Sequence, residues 1–166
     1  MVRMAEVGAV KDLGARLGRL QDEEDIRQVL LQYCRGLDEH DMPLFLDQFE
    51  ENIRYSYDGK VWNGRASLSD VIRKNWVKMP QTQHLLGNLV ISFGQDAASG
   101  AADDQADTTS DCLALAILDT GAMQLVTAAY RDRLVRRDGQ WRFVERVIET
   151  GGPFSLGQKP AARAQA

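Results

Sequence analysis

The order of two sequence patterns constrains the fold of this chain more than any other feature. Up to residue 79, apart from one short hairpin, apolar side chains recur every three or four positions, which predicts helices with one apolar face. From residue 82 onward, β-rich segments alternate with turn signals, which predicts long hairpin-connected strands. Helices followed by a strand meander are typical of an α+β fold, in which the helices cover one face of a curved antiparallel sheet. Such a sheet encloses a cavity against the helices.

Three helices are predicted in the first half of the chain. The first covers residues 22–39, because its apolar residues share one helical face and its start is acidic, as suits a helix N-terminus. A shorter helix restarts at Pro43, since proline fits the first turn of a helix and not its interior. The third covers residues 66–79 and ends before Pro80.

The strands are predicted from β-rich segments and the turns between them. A short hairpin joins residues 53–57 to residues 60–63 through Asp58-Gly59, a favourable two-residue turn. Four further strands follow, at residues 82–93, 110–118, 123–136 and 140–149. We expect residues 94–109 to form a solvated loop and not a cation site, because their aspartates lack an ordered ligand spacing.

Size and composition predict one domain. With 166 residues, 44% of them hydrophobic, the chain can bury a core. We expect an N-terminal extension at residues 1–20, the folded domain at 21–155 and a flexible tail at 156–166. The first 20 residues contain no apolar run long enough for a signal peptide or a membrane span, so we expect a cytoplasmic protein with no membrane partner. The net charge of −4 argues against nucleic acid as a partner.

The inventory of reactive residues is short. The chain has two histidines, His40 and His84, and two cysteines, Cys34 and Cys112, whose apolar surroundings suit buried free thiols. It has no phosphate-binding glycine loop, dinucleotide fingerprint, paired cysteine motif or histidine pair at metal-ligand spacing. We therefore expect neither a cofactor nor a metal.

His84 and Asp38 are the candidate acid/base pair. Strand alternation places His84 on the same face as Leu86 and Val90, where apolar side chains point. Asp38 falls at the edge of the apolar stripe of the first helix, near its C-terminal end, where burial and the helix dipole both disfavour a negative charge. A nearby imidazolium would compensate. Taken singly, His84 also fits a hydrogen-bonded core residue, and Asp38 a solvated helix end.

Two further side chains are candidates for the same site. Tyr33 lies on the apolar stripe of the first helix, where it packs in the core or offers its hydroxyl to a partner. Arg146 shares a strand face with Val144 and Ile148, so it either lines a cavity or lies at a surface edge. His40, at the end of the first helix, is predicted to be exposed.

Residues 20–155 contain four segments that together resemble a known family. The segments are residues 24–27 (EDIR), 33–38 (YCRGLD), 83–88 (QHLLGN) and 130–143 (YRDRLVRRDGQWRF). They resemble the SnoaL-like family of the nuclear-transport-factor-2-like superfamily, most closely the branch containing scytalone dehydratase, bile acid 7α-dehydratase and hexachlorocyclohexane dehydrochlorinase. The sheet lacks the second histidine of scytalone dehydratase, which is a departure from that enzyme's pattern.

The resemblance implies a cone-shaped domain, no cofactor, and an Asp–His dyad in which histidine removes a proton while aspartate orients it. Asp38 and His84 match the dyad positions, Tyr33 matches a tyrosine five residues before the aspartate, and Arg146 matches a late-strand arginine. The function implied is a carbon–oxygen lyase of the dehydratase type, acting by β-elimination on a small hydrophobic or polycyclic substrate. Relatives in this branch associate through their sheets, so we expect a homo-oligomer, with a trimer favoured.

Two other functions stay open at this point. The same dyad would serve a double-bond isomerase or an aldol cyclase, because both reactions begin with proton abstraction beside a carbonyl. The superfamily also contains noncatalytic members, so a ligand-binding module is the third possibility.

Overall fold

Three helices and six strands make up the part of the chain that the structure describes. This computed structural model describes residues 2–94 and 104–158, and of residues 2–9 and 11 the backbone alone. In chain order the elements are α1 (Val2–Asp38), α2 (Met42–Asp47), β1 (Phe49–Tyr57), β2 (Lys60–Asn63), α3 (Arg65–Lys78), β3 (Gln81–Phe93), β4 (Gln105–Ile117), β5 (Ala122–Arg137) and β6 (Gln140–Gln158). The α+β class predicted from the sequence is confirmed.

The six strands form one open sheet in the order β2-β1-β6-β5-β4-β3. Its pairings are antiparallel except for β1 with β6, which is parallel. The antiparallel sheet expected from the sequence is therefore present, with this one parallel pairing as the exception. The reason is topological: the chain crosses through α3 to the far edge, and the meander then returns to lie beside β1. Bulges in the β3–β4 and β5–β6 ladders bend the strands and curve the sheet.

The core lies between the helices and the inner face of this sheet. Helical spacing places Ile26, Leu30 and Tyr33 of α1 on the buried face, as predicted. The Tyr33 ring lies 5.4 Å from that of Phe45 in α2 and 6.1 Å from that of Phe143 in β6, measured between ring centroids. An aromatic cluster therefore joins both helices to the sheet, directly beneath the end of α1 that carries Asp38.

α1 is longer than predicted, because residues 2–21 continue the same helix. No proline or turn signal interrupts them, and alanine, leucine and arginine there favour helix. Their described apolar side chains, such as Leu13 and Leu17, are exposed and contribute nothing to the core. The acidic cluster after residue 21 marks where α1 meets the domain, and not where the helix begins.

Two strand boundaries also differ from the predictions. β4 begins at Gln105, so the last part of the predicted loop at 94–109 is strand; Asp96 and Asp103 of that loop lie outside the described residues. β6 continues to Gln158, because its pairing with β5 persists beyond residue 149, where the predicted strand ends. The predicted tail at 156–166 is thus strand at its start, and its residues 159–166 lie outside the described part of the chain.

No helix described here is both long enough and apolar enough to cross a membrane.

Candidate active site

A cavity of about 400 Å³ opens between α3, the β1–β2 hairpin and the inner face of the sheet. Most of its wall is aromatic or aliphatic, including Tyr33, Tyr55, Trp62, Trp76, Tyr130 and Ile148. His84 and Thr82 of β3 are among its polar wall residues, with Asn75 and Lys60 on the opposite side. The cavity expected between helices and sheet is therefore present, and its volume falls within the range of ligand pockets, about 300–1,000 Å³.

The structure brings Asp38 and His84 together at the wall of this cavity. The Asp38 Oδ1 atom lies 2.6 Å from His84 Nδ1, and Asp38 Oδ2 accepts a hydrogen bond of 2.8 Å from the His84 backbone N–H. The Thr82 hydroxyl donates to Asp38 Oδ1 over 2.8 Å. Three donors from one strand thus fix the carboxylate, and the carboxylate fixes the imidazole ring. Nδ1 is engaged, which leaves His84 Nε2 for a molecule in the cavity.

The electrostatics of Asp38 follow from these contacts. Burial raises the pKa of its carboxyl group, but the hydrogen bonds from the ring and backbone of His84, with that of Thr82, lower it by more. The net pKa lies below its usual value, so Asp38 is ionised at neutral pH. An ionised Asp38 holds the proton of His84 on Nδ1, and Nε2 then carries the lone pair of a base.

The prediction that His84 lies on the inner face of the sheet is confirmed, and the same prediction for Val90 is wrong. His84 and Leu86 are partly buried on the inner face, whereas Val90 is 58% exposed. The cause is a register shift between Gly87 and Val90, where Asn88 adopts a φ of 50°. Beyond this bulge the alternation is reversed, so strand periodicity holds for His84 and fails for the residues after it.

Tyr33 and Tyr55 both line the cavity, and their hydroxyl groups are in contact. The Tyr33 hydroxyl lies 3.1 Å from that of Tyr55 in β1, and both side chains are buried. Burial raises the pKa of Tyr33 well above its usual range and that of Tyr55 to about 12. Both phenols are therefore protonated at neutral pH. One hydroxyl donates to the other, so one of the two protons is not used in this contact.

Arg146 lies neither in the cavity wall nor at a surface edge, the two positions expected for it. It is fully buried, and its Nε and Nη2 atoms donate to the two carboxylate oxygens of Asp132 over 2.7 and 2.8 Å. The physical reason is register, because Asp132 lies directly across from Arg146 in the β5–β6 ladder. The guanidinium carbon is 4.0 Å from the centroid of the Tyr33 ring. Arg146 therefore packs against the ring of Tyr33 without lining the cavity itself.

His40 is partly buried and not exposed, which corrects its prediction. Its ring stacks on Trp76 of the cavity wall, with 4.8 Å between ring centroids. The backbone of His40 has a φ of 57°, and this left-handed turn after α1 directs the ring back toward α3. His40 Nε2 and Trp76 Nε1 are buried without a hydrogen-bond partner among the described residues.

Cys34 and Cys112 are both free and buried, as predicted. Burial raises the pKa of the Cys34 thiol to about 12 and also raises that of Cys112, which lines the cavity. Neither thiol is a nucleophile at neutral pH. Within the described ranges, no three His, Cys, Asp or Glu side chains are grouped so that they could hold a metal ion.

Sequence reasoning missed three residues of this site. Thr82 shares the strand face of His84 two positions away, and that spacing could have indicated a second contact to Asp38. Asp132 alternates with Tyr130 and Leu134 on the inner face of β5, and an acid at a core position indicates a buried cation. Tyr55 had no comparable signal, since a tyrosine in a short strand is ordinary core sequence.

Comparison with known proteins identifies relatives of the whole domain. Residues 18–147 match the family model described as the SnoaL-like domain. A search of curated proteins found no match. Among solved structures, a type 2 hexachlorocyclohexane dehydrochlorinase (LinA) superposes with a TM-score of 0.77 at 21% identity, over 89% of this chain and 97% of that one.

Two further solved structures share the fold. A protein assigned as a scytalone dehydratase from Novosphingobium aromaticivorans gives a TM-score of 0.73 at 22% identity, covering 89% of this chain and 97% of that one. Type 3 LinA from Novosphingobium barchaimii gives 0.75 at 21% identity, covering 85% and 94%. At these identities the similarity shows the shared fold alone.

Proposed function

Because this chain belongs to the SnoaL-like domain family, we propose that it is a cofactor-independent lyase that uses His84 as the general base of a β-elimination. The observation that carries the proposal is the Asp38–His84 contact of 2.6 Å at the wall of an apolar cavity. Solved structures with this fold include proteins named as a dehydrochlorinase and as a scytalone dehydratase, and both names describe eliminations. The substrate is a small hydrophobic or polycyclic molecule.

The proposed step is written for a substrate with a leaving group β to an acidic C–H bond. His84 Nε2 takes the proton, the C–H electron pair forms the new double bond, and the leaving group departs with the electrons of its own bond. Ionised Asp38 stabilises the imidazolium that results. If the leaving group is hydroxide, the imidazolium returns its proton and water is released; a halide leaves as the anion.

The two buried phenols supply the second part of the mechanism. The hydroxyl proton of Tyr33 or Tyr55 that is left over from their mutual hydrogen bond donates to the oxygen or halogen on which negative charge develops. Arg146 is a positioning residue in this scheme, because it contacts the Tyr33 ring and does not reach the cavity wall.

The test is loss of turnover when the dyad is removed. In a panel of alicyclic β-hydroxy and β-chloro ketones, formation of the conjugated product is followed by ultraviolet absorbance. We expect His84→Ala and Asp38→Asn to lower kcat by about 10²–10⁴, the usual contribution of a positioned general base. The matched control is Gln83→Ala, which alters the neighbouring exposed side chain of the same strand. Wild-type turnover by a folded His84→Ala variant would end the proposal and favour a noncatalytic binding module.

A deuterated substrate separates elimination from isomerisation by the same dyad. With deuterium at the acidic carbon, elimination transfers the label to His84 and from there to water, so the product has lost both the label and the leaving group. An isomerase or a cyclase retains the atoms of the leaving group, and an isomerase returns label to a new carbon. Mass spectrometry of the product distinguishes these results.

A further inference from the structure

The mouth of the cavity carries a cation that has no partner in the described protein. Lys60 lies at the start of β2, beside the turn of the β1–β2 hairpin, and its exposed side chain lines the cavity. Of the described wall residues, none is an aspartate or glutamate, and Lys60 and His84 are the basic ones. His84 is already engaged by Asp38. Lys60 is therefore the basic residue of the described cavity wall that has no acidic partner.

The helix on the same side of the mouth adds to this positive charge. Three basic residues lie in the C-terminal half of α3, on the flanks of its cavity-lining face: Arg73, Lys74 and Lys78. Like Lys60, none of them forms an ion pair or a side-chain hydrogen bond with a described residue. We call Lys60 and these three residues the basic rim.

The basic rim differs from the other basic side chains described here, many of which form ion pairs with carboxylates. Arginines of the sheet are bound to carboxylates, among them Arg54, Arg131, Arg133, Arg136, Arg142 and Arg146. The acids closest to the rim in sequence form no ion pair with it in the described part of the chain. The Asp58 carboxylate accepts two hydrogen bonds from Thr150 instead, and Asp70 and Asp119 are not paired with a rim residue. A chain of net charge −4 thus leaves unpaired positive charge at its cavity mouth.

We infer that the substrate is an apolar carboxylic acid, whose hydrocarbon part lies in the cavity and whose carboxylate stays at the mouth beside Lys60. The inference rests on the proposed function, since it takes the cavity as the substrate site. Burying a carboxylate among the aromatic wall residues would remove its water without providing a partner for the acidic group, whereas at the rim it keeps its water and gains a cation. Of the rim residues, Lys60 alone lines the cavity. Its single flexible ammonium group suits a monoanion, while phosphates are bound by several donors, commonly with an arginine fork.

The experiment compares two fluorescent probes that differ in one group, 1-pyrenebutyric acid and 1-pyrenebutanol. We expect the wild-type protein to bind the acid more tightly than the alcohol. Lys60→Gln should weaken binding of the acid by about two- to fivefold, as expected for an exposed charge contact, and leave binding of the alcohol unchanged. Arg131→Gln, which removes an exposed cation on the outer face of the sheet, is the control and should change neither.

Several results would overturn the inference. One is an equal effect of Lys60→Gln on both probes, or no effect on either. Another is unchanged binding of the acid in Ala128→Trp, a variant that fills the cavity, because the probe would then lie elsewhere. Displacement of the acid by millimolar inorganic pyrophosphate would assign the rim to phosphates instead. The His84→Ala variant should still bind the acid more tightly than the alcohol. Failure of the elimination proposal can therefore be distinguished from failure of this one.

Discussion

Arg146 shows how one buried side chain supports a site that it does not touch. Its guanidinium group is fully buried, held by both oxygens of Asp132 and packed against the ring of Tyr33. Burial alone lowers the pKa of Arg146, but Asp132 raises it by more, so the charge is retained. The pair therefore maintains a fixed cation behind the Tyr33–Tyr55 hydroxyl pair, at the cost of desolvating two ions.

This burial predicts an asymmetric response to mutation. Arg146→Met leaves Asp132 as an uncompensated buried charge and should lower the free energy of unfolding by about 3–5 kcal/mol. The double variant Arg146→Met/Asp132→Leu removes both charges and should recover most of that loss. Chemical denaturation measures both variants.

The control for this pair is Arg131→Gln, which breaks an exposed ion pair with Glu149. It should cost less than about 1 kcal/mol. A double variant as unstable as Arg146→Met would show that Arg146 stabilises the fold through packing on the aromatic rings, and not through its charge.

Among the elements, the α1–α2 junction positions the dyad. Asp38 is the last residue of α1, and α2 begins four residues later. The two helices approach closely at Gly36, where an added Cβ would lie 2.7 Å from the backbone nitrogen of Phe45. No side chain fits there, so this glycine sets the direction in which α1 ends and Asp38 meets β3.

Gly36→Ala should therefore destabilise the protein by about 1–3 kcal/mol through overpacking, although alanine favours helix more than glycine does. Elimination activity should fall with it, because α1 must shift away from β3. Gly14→Ala is the matched control: Gly14 lies in the same helix with open space around it. That variant should be neutral or stabilise by up to about 1 kcal/mol. Thermal melts of the two variants test the difference, and equal melting temperatures would contradict the close-approach argument.

At the scale of the whole molecule, the outer face of the sheet carries an uncovered apolar patch. Leu85 is 60% exposed and Leu113 is 39% exposed, and the two lie directly across from each other in the β3–β4 ladder. A shallow groove runs beside them toward Thr127 and Glu149. We propose that this face associates with further copies of the chain as a homo-oligomer, with a trimer favoured, since removing exposed leucines from water favours association.

Leu113→Arg should dissociate that oligomer, because association would then bury an unpaired guanidinium group in the apolar patch. Light scattering at micromolar protein concentration measures the mass. Gln105→Arg, at the other end of the same strand, is the control and should leave the mass unchanged. A wild-type protein that scatters as a monomer would contradict the proposed association.

Periodicity predicted most elements, because burial on one face is a local property that the sequence repeats. It located Asp38 at the edge of the apolar stripe and His84 on the inner strand face. It did not predict the reversal after Gly87, since a bulge depends on how β3 pairs with β4. Neither did it indicate that the helix α1 would continue through residues 2–21, because the acidic cluster after residue 21 resembles a helix start.

The sequence by itself determined the α+β class, the family, the inward face of His84 and the short list of reactive side chains. These depend on local pattern and on residue identity. Only the tertiary structure decided that Asp38 Oδ1 meets His84 Nδ1, that Tyr33 shares its hydroxyl with Tyr55, and that Arg146 lies behind the cavity wall. Such contacts join residues that are distant in the chain, and strand register together with helix packing fixes their distances.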